Sequence, residues 1–448
     1  MEALGRYMCA KAERWMPDPF IFAILLSFLT FGLAWCLTPH DAVKIFGFWV
    51  SGLWNLLKFS MKMCLVLVTG YALASSKPVI FLVKTVATIP KNSASAAAMV
   101  CLVSVLTGFI NWGLAIVVGA LLAREVAKAC HLRGLKVHYP LLGAAGYMGL
   151  AVWHGGLSGS APLTLNQSGH FLESKIGIID PSLTLFHSLN LMVSGLLIIG
   201  LPVLFYLMSP KNEEEMISIN EVLPEIDSTS KDLPELSGAD GLATKLENSK
   251  ALAFLLGSAG VIMVSLLVQK LGWQKFLNLN NVNLLFLSLG ILFHGTPIRY
   301  VKAIHAGVQA CSGIILQFPL YAGIMSMMKS SGLANMTVNT VVATASKSSL
   351  PLLTFFSAGI LNIFVPSGGG QWAVQGPIMV EVLQQLNGDL SKTILAFCYG
   401  DQWTNLLQPF WALALLGITG LKASQIMGYC ITVMLLGICL FSGILLIY

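Results

Sequence analysis

The chain between residues 359 and 372 reads Gly359-Ile-Leu-Asn362-Ile-Phe-Val-Pro366-Ser367-Gly368-Gly369-Gly370-Gln371-Trp372. Apolar sequence leads into this stretch and continues after it. A proline, a serine and three consecutive glycines cannot form part of one continuous helix. We therefore predict a helix that is broken at membrane depth. Irregular backbone is tolerated there only if it is buried in protein or lines a wet cavity.

A broken helix of this kind has a functional meaning in membrane proteins. In many secondary transporters half-helices end at a cavity, and their N-termini point at anionic groups of the substrate. The alternative is an ordinary loop outside the membrane between two spanning helices. A second interrupted stretch in each half favours the broken helix: residues 139–165 are interrupted at 154–162, and residues 393–418 at 401–409.

Composition places the chain in the membrane. It has 448 residues, of which 56% are hydrophobic and only 10% are charged, whereas soluble domains carry about 25% charged residues. The mean hydropathy is +0.78, and many apolar runs approach the roughly 20 residues that span a bilayer as a helix. These runs do not alternate in polarity as the strands of a β-barrel do. We predict an all-α integral membrane protein with many spans.

Composition also argues against several other classes of function. The net charge of +6 is modest and gives no reason to expect nucleic acid. The nine cysteines are scattered without a C-x-x-C or His/Cys cluster, so we expect neither a metal site nor disulfides. The sequence has no P-loop, which argues against ATP-driven transport by this chain alone. We expect no enzymatic activity and no cofactor.

The chain divides into five segments. Residues 209–250 hold ten of the 20 acidic residues and cannot bury an apolar face, so we expect a solvated cytoplasmic linker there. The first apolar run, which ends at Leu37, lacks a small-residue cleavage site and is interpreted as a retained span. The predicted segments are an interfacial N-terminal segment (1–18), a first transmembrane repeat (19–208), the acidic linker (209–250), a connecting transmembrane helix (251–280) and a second, inverted repeat (281–448).

Three landmarks recur at nearly constant spacing in the two halves, which argues for an internal duplication. The pairs are Val43 and Val301 (301 − 43 = 258), Asn111 and Asn362 (362 − 111 = 251), and Pro162 and Pro409 (409 − 162 = 247). The first pair opens a long apolar stretch, the second stands where two apolar limbs meet, and the third ends a helix break. Each half then contains a hairpin and a broken helix.

The predicted topology follows from these hairpins. The limbs that meet at Asn111 are about 15 residues long, which is short for a full span, so we predict re-entrant hairpins. The connecting helix then puts the second half into the membrane upside down, as in inverted-repeat transporters. In this topology most Lys and Arg residues lie on the inner side, which predicts a cytoplasmic N-terminus and a periplasmic C-terminus.

The two hairpin tips and the two broken helices are expected to meet near the bilayer midplane. The N-terminus of a helix that restarts after a break favours binding of a carboxylate, and glycines let a ligand approach the backbone. Carbonyl groups freed at Asn111 and Asn362 are candidates for binding Na⁺. The substrate-binding candidates are Asn111, Ser158, Gly159, Ser160, Asn362, Ser367, Gly368, Gly369, Asn405 and Gln408.

Asp401 is the acidic residue that lies most clearly within an apolar run. An acid at that depth is a functional candidate, and Asp401 and His154 are our candidates for coupling to an ion. The alternatives for Asp401 are a position near the interface or a permanent partner, namely Lys58, Lys62 or His154; for His154 the alternative is a structural hydrogen bond. The tryptophans expected to cover a small apolar tail, or else to anchor at the lipid interface, are Trp112, Trp153, Trp372 and Trp403.

Several motifs in this order carry a resemblance that spans nearly the whole chain. They are Trp15-Met-Pro-Asp-Pro19, Asn111-Trp-Gly113, Val365-Pro-Ser-Gly-Gly-Gly370, Gln375-Gly-Pro377, Gln402-Trp403 and Gln408-Pro-Phe-Trp411. With these motifs the sequence resembles the bacterial short-chain fatty acid transporter family, which is similar in plan to the ion transporter superfamily. The resemblance implies inverted repeats, re-entrant hairpins and often elevator motion in a homodimer.

The resemblance also implies the function. We expect a secondary active transporter that takes up short-chain monocarboxylates, such as acetoacetate or butyrate, across the bacterial inner membrane by H⁺ or Na⁺ symport. A di- or tricarboxylate carrier of the same superfamily and a passive channel for small anions are the alternatives. The expected partners are the monocarboxylate and the lipid bilayer, with no nucleic acid.

Overall fold

The computed structural model describes residues 1–15, 18–224, 241–276 and 279–448. Within these ranges all regular structure is helical and no strand occurs. Parts of three predicted segments lie outside the described residues: 16–17 of the N-terminal segment, 225–240 of the linker and 277–278 of the connecting helix.

The first half begins with a short helix and a long apolar one. The Asp18 side chain caps the second helix by accepting from the N–H of Phe20, and Pro19 occupies its first position, where no N–H is needed. The helices are α1 Glu2–Trp15, α2 Pro19–Leu37, α3 Ala42–Gly52, α4 Leu57–Ala74, α5 Lys77–Ala87, α6 Ser93–Ile110, α7 Trp112–Leu132, α8 Tyr139–Tyr147, α9 Ser160–Leu165, α10 Glu173–Ile176 and α11 Ser188–Met208.

The described parts of the linker contain two short helices, and the second half follows with longer ones. The linker helices are α12 Ile219–Val222 and α13 Leu242–Glu247. The later helices are α14 Lys250–Phe276, α15 Leu279–His294, α16 Pro297–Val308, α17 Ser312–Ser330, α18 Leu333–Val342, α19 Leu350–Phe364, α20 Gly368–Leu386, α21 Leu390–Thr404, α22 Pro409–Thr419 and α23 Ala423–Ile447.

Among the described residues, six helical stretches are long and apolar enough to cross a membrane. A seventh span results if α16 and α17, which are bent by 52° relative to each other, are counted as one. The six stretches are Pro19–Leu37, Ala42–Leu73, Ser93–Ile110, Ser188–Met208, Leu242–Gly272 and Ala423–Ile447. The prediction of an all-helical membrane protein is confirmed.

The two predicted hairpins are pairs of helices joined by very short connections. Asn111 alone separates α6 from α7, and it ends one helix and caps the next. These two helices have 18 and 21 residues, so they are longer than the limbs of about 15 residues that the sequence suggested. Helix length therefore does not separate a re-entrant hairpin from a full crossing. The second hairpin joins α19 (15 residues) to α20 (19 residues), and the re-entrant arrangement stays a prediction for both.

The hairpins start from opposite ends of the bundle. Ser209, after the end of α11, donates to Ser93 at the start of α6 (2.9 Å). At the other end, Gln384 near the end of α20 donates to the carbonyl of Lys175, which precedes α11 (2.9 Å). In addition α2 packs on α17, while α15 packs on α4. An inverted repeat requires such reciprocal packing, although the repeat itself stays a prediction.

The two ends of the chain lie at opposite ends of α11. Gly5 in α1 lies against Met208 at the end of this helix, whereas the hydroxyl group of Tyr448 contacts that of Ser188 at its beginning. With 21 residues α11 is about 30 Å long, which is the thickness of a bilayer core. Which end faces the cytoplasm stays a prediction.

The described beginning of the linker is attached to the bundle. The N–H of Tyr139 donates to the carbonyl of Ile217 (2.8 Å), and the N–H of Ile217 donates to Nδ1 of His138 (3.0 Å). Burial lowers the pKa of His138 to about 4, so the ring is neutral near pH 7 and its Nδ1 accepts this bond. Leu223 packs against Gly420 in the turn before α23. This part of the linker is therefore held at one end of the bundle.

Small residues allow α7 and α8 to pack backbone to backbone. A Cβ atom at Gly119 would lie 2.0 Å from the carbonyl oxygen of Gly146, and one at Gly146 would lie 2.5 Å from that of Gly119. Close approach at small residues is a common way to pack helices in membranes. The contact fixes the position of α8, which leads into the first helix break.

We expect Gly119→Ala to lower the apparent Tm of the protein in detergent micelles. The added methyl group meets backbone that cannot rotate away, and overpacking of this kind costs about 1–3 kcal/mol. Gly195→Ala in α11 is the matched control, because a Cβ there has no neighbour within 4 Å. Equal Tm values for the two variants would show that the α7–α8 contact is looser than described.

Candidate functional site

The two helix breaks face each other inside the bundle. After α8 the chain forms 3₁₀ turns at Met148–Ala151 and Trp153–Gly155, and α9 starts at Ser160. After α21 it forms a 3₁₀ turn at Asn405–Leu407 before α22. The turns of the first break contact both α21 and the turn of the second. Both sequence-predicted breaks are therefore present, and they meet.

His154 and Asp401 form a buried pair at the centre of this meeting point. Nδ1 of His154 lies 2.5 Å from Oδ2 of Asp401, and neither residue is exposed. The N–H of Ala161 donates to Nε2 of His154 (3.1 Å), so that nitrogen acts as an acceptor. The ring proton is therefore on Nδ1, which donates to the carboxylate. Of the partners considered for Asp401, His154 is the one in contact, rather than Lys58 or Lys62.

Asp401 keeps one oxygen atom available. Its Oδ1 is buried and has no hydrogen-bond partner among the described residues. An ionised carboxylate beside a neutral imidazole carries a net charge of −1. Such a charge is costly unless a cation accompanies it. The geometry therefore suits a proton or a small cation at the free carboxylate oxygen.

Side-chain amide and hydroxyl groups form hydrogen bonds with the backbone N–H and C=O groups that have no helical partner at the breaks. Oε1 of Gln402 accepts from the N–H groups of His154 (3.0 Å) and Gly155 (3.2 Å). The hydroxyl group of Tyr147 donates to the carbonyl of Asn405 (2.9 Å). Asn190, at the start of α11, donates to the carbonyl of Gly155 (2.8 Å). Sequence reasoning did not single out Gln402, Tyr147 or Asn190 as site residues.

Three predicted ligands in the second half bond mainly to one another. Nδ2 of Asn362 donates to the carbonyl of Asp401 (2.7 Å) and to Oδ1 of Asn405 (2.8 Å). Nε2 of Gln408 donates to the carbonyl of Asn362 (2.5 Å). These contacts join α19 to the break after α21. The three side chains therefore act first as supports for the break.

The N-terminus of α20 lies beside the buried pair. A Cβ atom at Gly368 would lie 2.8 Å from Cε1 of His154 and 3.3 Å from Oδ2 of Asp401. Ser367 caps the helix by accepting from the N–H of Gly370 (3.2 Å). Only glycine at position 368 lets the helix start so close to the pair. The predicted residues Ser367 and Gly368 are thus brought to the site.

Two helix N-termini face each other at this place. A Cβ atom at Gly369, in the first turn of α20, would lie 3.7 Å from Cβ of Ser160, the first residue of α9. Gly369 is exposed and Ser160 is half-buried, whereas His154 and Asp401 are fully buried beneath them. The first N–H groups of a helix have no partner within the helix. The N–H groups of Ala161 and Gly370 are taken by His154 and Ser367, so the donors left for a ligand at this opening are those at the very start of α20.

The tip of the first hairpin is docked on the first break. The hydroxyl oxygen of Ser158 accepts from the N–H of Trp112 (3.1 Å), and Oδ1 of Asn111 accepts from the N–H of Leu114 (3.0 Å). Gly159 has no room for a side chain, because a Cβ would lie 2.2 Å from the carbonyl oxygen of His154. These predicted residues shape the first break.

The carbonyl groups predicted for Na⁺ are both hydrogen-bonded. That of Asn111 accepts from the N–H of Ala115 (3.0 Å), and that of Asn362 accepts from Gln408. A carbonyl oxygen has a second lone pair. Sodium binding at these two positions stays a prediction.

The predicted tryptophans separate into two groups. The ring of Trp153 stacks on His154 with 4.4 Å between centroids, and Trp112 contacts Trp153 at 6.3 Å. Trp372 packs on Phe397, which in turn contacts His154. Trp403 points away from the pair, since its indole N–H donates to the carbonyl of Met434 in α23 (2.7 Å). Three of the four tryptophans therefore surround the site.

Sequence reasoning missed one further tryptophan. The ring of Trp411 lies 5.1 Å from that of Trp112. The indole nitrogens of Trp153, Trp372 and Trp411 are buried and have no acceptor among the described residues. Each of these tryptophan side chains therefore offers a hydrogen-bond donor as well as an apolar ring. The signal was available in the sequence, because Trp411 closes the Gln408–Trp411 motif.

Solved structures of similar overall size align with most of the chain at low similarity. The YdaH transporter of Alcanivorax borkumensis is 14% identical with a TM-score of 0.41, and the alignment covers 96% of this chain and 98% of that one. MtrF of Neisseria gonorrhoeae, described as illuminating a class of antimetabolite efflux pumps, is 14% identical with a TM-score of 0.40, with 98% and 97% covered.

Sequence relatives are much closer. A protein of Escherichia coli (strain K12) whose name proposes short-chain fatty acid transport is 40% identical over 443 residues, covering 99% of this chain and 97% of that protein. A protein of Haemophilus influenzae with the same name is 41% identical over 439 residues, covering 96% of each. The family model described as "Short chain fatty acid transporter" matches residues 1–448. The chain therefore belongs to the short-chain fatty acid transporter family.

Proposed function

We propose that this chain is a secondary active transporter that takes up short-chain monocarboxylates, of the acetoacetate or butyrate type, by symport with H⁺ or Na⁺. The observation that carries the proposal is the opening between Ser160 and Gly369, where two helix N-termini face each other above the buried His154–Asp401 pair. Donors for a carboxylate and a group that can hold a cation thus lie side by side. Family membership supports a small-molecule substrate and a lipid environment.

The carboxylate of the substrate would bind at the N-terminus of α20. The helix dipole and the unpaired N–H groups of the first turn favour an anion, and Gly368 and Gly369 allow it to approach closely. The short apolar tail would rest against Trp112 and Trp153. The indole N–H of Trp153, whose ring stacks on His154, is buried without an acceptor among the described residues and is a further candidate donor.

Asp401 lies beside the proposed carboxylate site and would couple substrate binding to cation binding. A substrate carboxylate at Gly368 would lie beside a second carboxylate, so binding is favourable only when a cation neutralises Asp401. A proton on the free Oδ1, or Na⁺ beside it, would do this. The cation also offsets the cost of moving an anion against an inside-negative potential, about 2.3 kcal/mol for one charge at 100 mV.

The proposal places the protein in the bacterial inner membrane with a cytoplasmic N-terminus and a periplasmic C-terminus. The positive-inside pattern and the position of the two chain ends at opposite ends of α11 support this orientation. A homodimer is part of the same family-based proposal. The groups that the two breaks bring together are amides, hydroxyls and one imidazole–carboxylate pair, which suits a single carboxylate better than a di- or tricarboxylate.

Uptake into proteoliposomes tests the function directly. With an imposed H⁺ or Na⁺ gradient, labelled butyrate should accumulate beyond electrochemical equilibrium, and an ionophore should abolish the accumulation. Accumulation above the level that protein-free liposomes reach under the same gradient indicates a coupled transporter, whereas a channel for the anion stops at electrochemical equilibrium. Preference for succinate or citrate over acids of two to six carbons would instead favour a di- or tricarboxylate carrier.

Asp401→Asn should uncouple transport. The accumulation ratio is expected to fall by up to about 50-fold at 100 mV, since one coupled charge contributes about 2.3 kcal/mol. Butyrate exchange without a gradient should persist, because the amide keeps the size of the side chain. Glu381→Gln, an exposed position on α20, is the matched control. An Asp401→Asn variant with an unaltered dependence of uptake on pH and Na⁺ would rule out Asp401 as the coupling group.

Asn362→Ala and Asn405→Ala should each reduce uptake although the protein still inserts into the membrane. Removal of Asn362 leaves the buried carbonyl of Asp401 without its donor, which costs about 1–3 kcal/mol and loosens the break. Uptake and the apparent Tm are measured together. Asn335→Ala, at an exposed position on α18, serves as the control and should change neither. Normal uptake by Asn362→Ala would show that this support is dispensable.

A further inference from the structure

A cavity that is separate from the opening between Ser160 and Gly369 lies at the end of the bundle that holds α1 and the described linker. It has a volume of about 500 Å³ and lies between α17, α22 and the first residues of α2 and α23. Sites for small molecules commonly measure about 300–1,000 Å³. We call it the basal cavity. Leu223 of the linker packs on Gly420, two residues before Lys422 in the cavity wall.

The polar groups of the basal cavity suit a small anion. Lys422 is exposed at its wall, and α23, a helix of 25 residues, starts next to it with Ala423 and Ser424. A cation and the positive end of a long helix thus face the same space. The carboxylate of Asp18 also lines it and accepts from the N–H of Phe20 (2.8 Å) at the start of α2.

A buried polar side chain also lines the basal cavity. Gln317 is 4% exposed, and its Oε1 has no hydrogen-bond partner among the described residues. Its amide can donate to a carboxylate once it is suitably rotated. Leu413, Leu416 and Leu421 add apolar surface to the lining. A cation together with apolar surface matches an anion with a short hydrocarbon tail.

We propose that the basal cavity is a second binding site for a short-chain monocarboxylate anion, at the cytoplasmic end of the transport path. This inference rests on the proposed function for the identity of the ligand. The site is distinct from the opening at Ser160 and Gly369. In a transport cycle it receives the substrate on the cytoplasmic side after the substrate leaves the His154–Asp401 region.

A series of aromatic contacts connects the two sites. Phe318, the residue after Gln317, stacks on Phe410 with 4.4 Å between centroids. Phe59 contacts Phe318 at 5.9 Å and Trp112 at 6.2 Å. Trp112 in turn contacts Trp153, the ring that stacks on His154. These rings therefore lie between the basal cavity and the buried pair.

Chemical labelling of Ser424→Cys in the full chain tests the basal site. An anionic methanethiosulfonate reagent is added to inside-out and to right-side-out membrane vesicles, and the rate is corrected for labelling of the parent chain. We expect reaction from the cytoplasmic face only. Saturating sodium butyrate should slow it about tenfold, whereas butyramide, which has the same tail without the charge, should not protect.

A second variant isolates the electrostatic part of the proposal. When Lys422→Gln is added to Ser424→Cys, the anionic reagent should react several-fold more slowly relative to a cationic reagent. Protection by butyrate should weaken about tenfold, which is the size expected for a lost hydrogen bond to a charged group. Ser188→Cys, at the exposed start of α11, is the matched control. It should react from the opposite face and without protection by butyrate.

The outcomes separate this inference from the proposed function. Equal protection by butyrate and butyramide, or no protection, overturns the basal site even if the protein concentrates butyrate. Charge-dependent protection in a protein that takes up no acid supports the site and overturns the proposed function. If Ser424→Cys does not fold, Gln317→Leu replaces it, and butyrate binding to the purified chain should then weaken about tenfold.

Discussion

The structure depends on how its unwound backbone is hydrogen-bonded within the membrane. Between α8 and α9, and again between α21 and α22, peptide groups lose their helical partners, and lipid cannot replace them. Each break is satisfied partly by its own half and partly by the other half of the chain. Gln402 accepts from the backbone of His154 and Gly155, and Tyr147 donates to the backbone of Asn405. The two breaks therefore support each other.

The same contacts determine the charge at the centre. The backbone N–H of Ala161 makes Nε2 of His154 an acceptor, which places the ring proton on Nδ1 and directs it to Asp401. The imidazole is thus used to orient the carboxylate rather than to neutralise it. In the proposed mechanism a cation neutralises the carboxylate at its free oxygen Oδ1. A structural hydrogen bond of His154, which the sequence left open as an alternative, is in this way also part of the proposed coupling.

The sequence predicted the breaks well but assigned several side chains less well. Pro366 and the three glycines after Ser367 predicted the end of one helix and the start of the next, and α19 ends at Phe364 while α20 starts at Gly368. Local residue preferences are sufficient for that. They do not show which neighbour a side chain contacts. Asn362, for which substrate binding stays a prediction, donates to the second break, and Trp403, which was expected at the site, packs on α23. Both contacts depend on the angle between distant helices.

The arrangement of contacts also indicates where the protein can move. The hairpins and broken helices are joined by directional hydrogen bonds such as those of Gln402 and Asn362, which lose their energy when the groups separate. Phe59 of α4 and Phe318 of α17 meet this unit through ring faces, and apolar contacts are non-directional and can form again after a shift. In the proposed transport cycle, a shift along these aromatic contacts would preserve the hydrogen-bonded unit. It would open the buried pair towards the basal cavity, as in the elevator motion that the family resemblance implies.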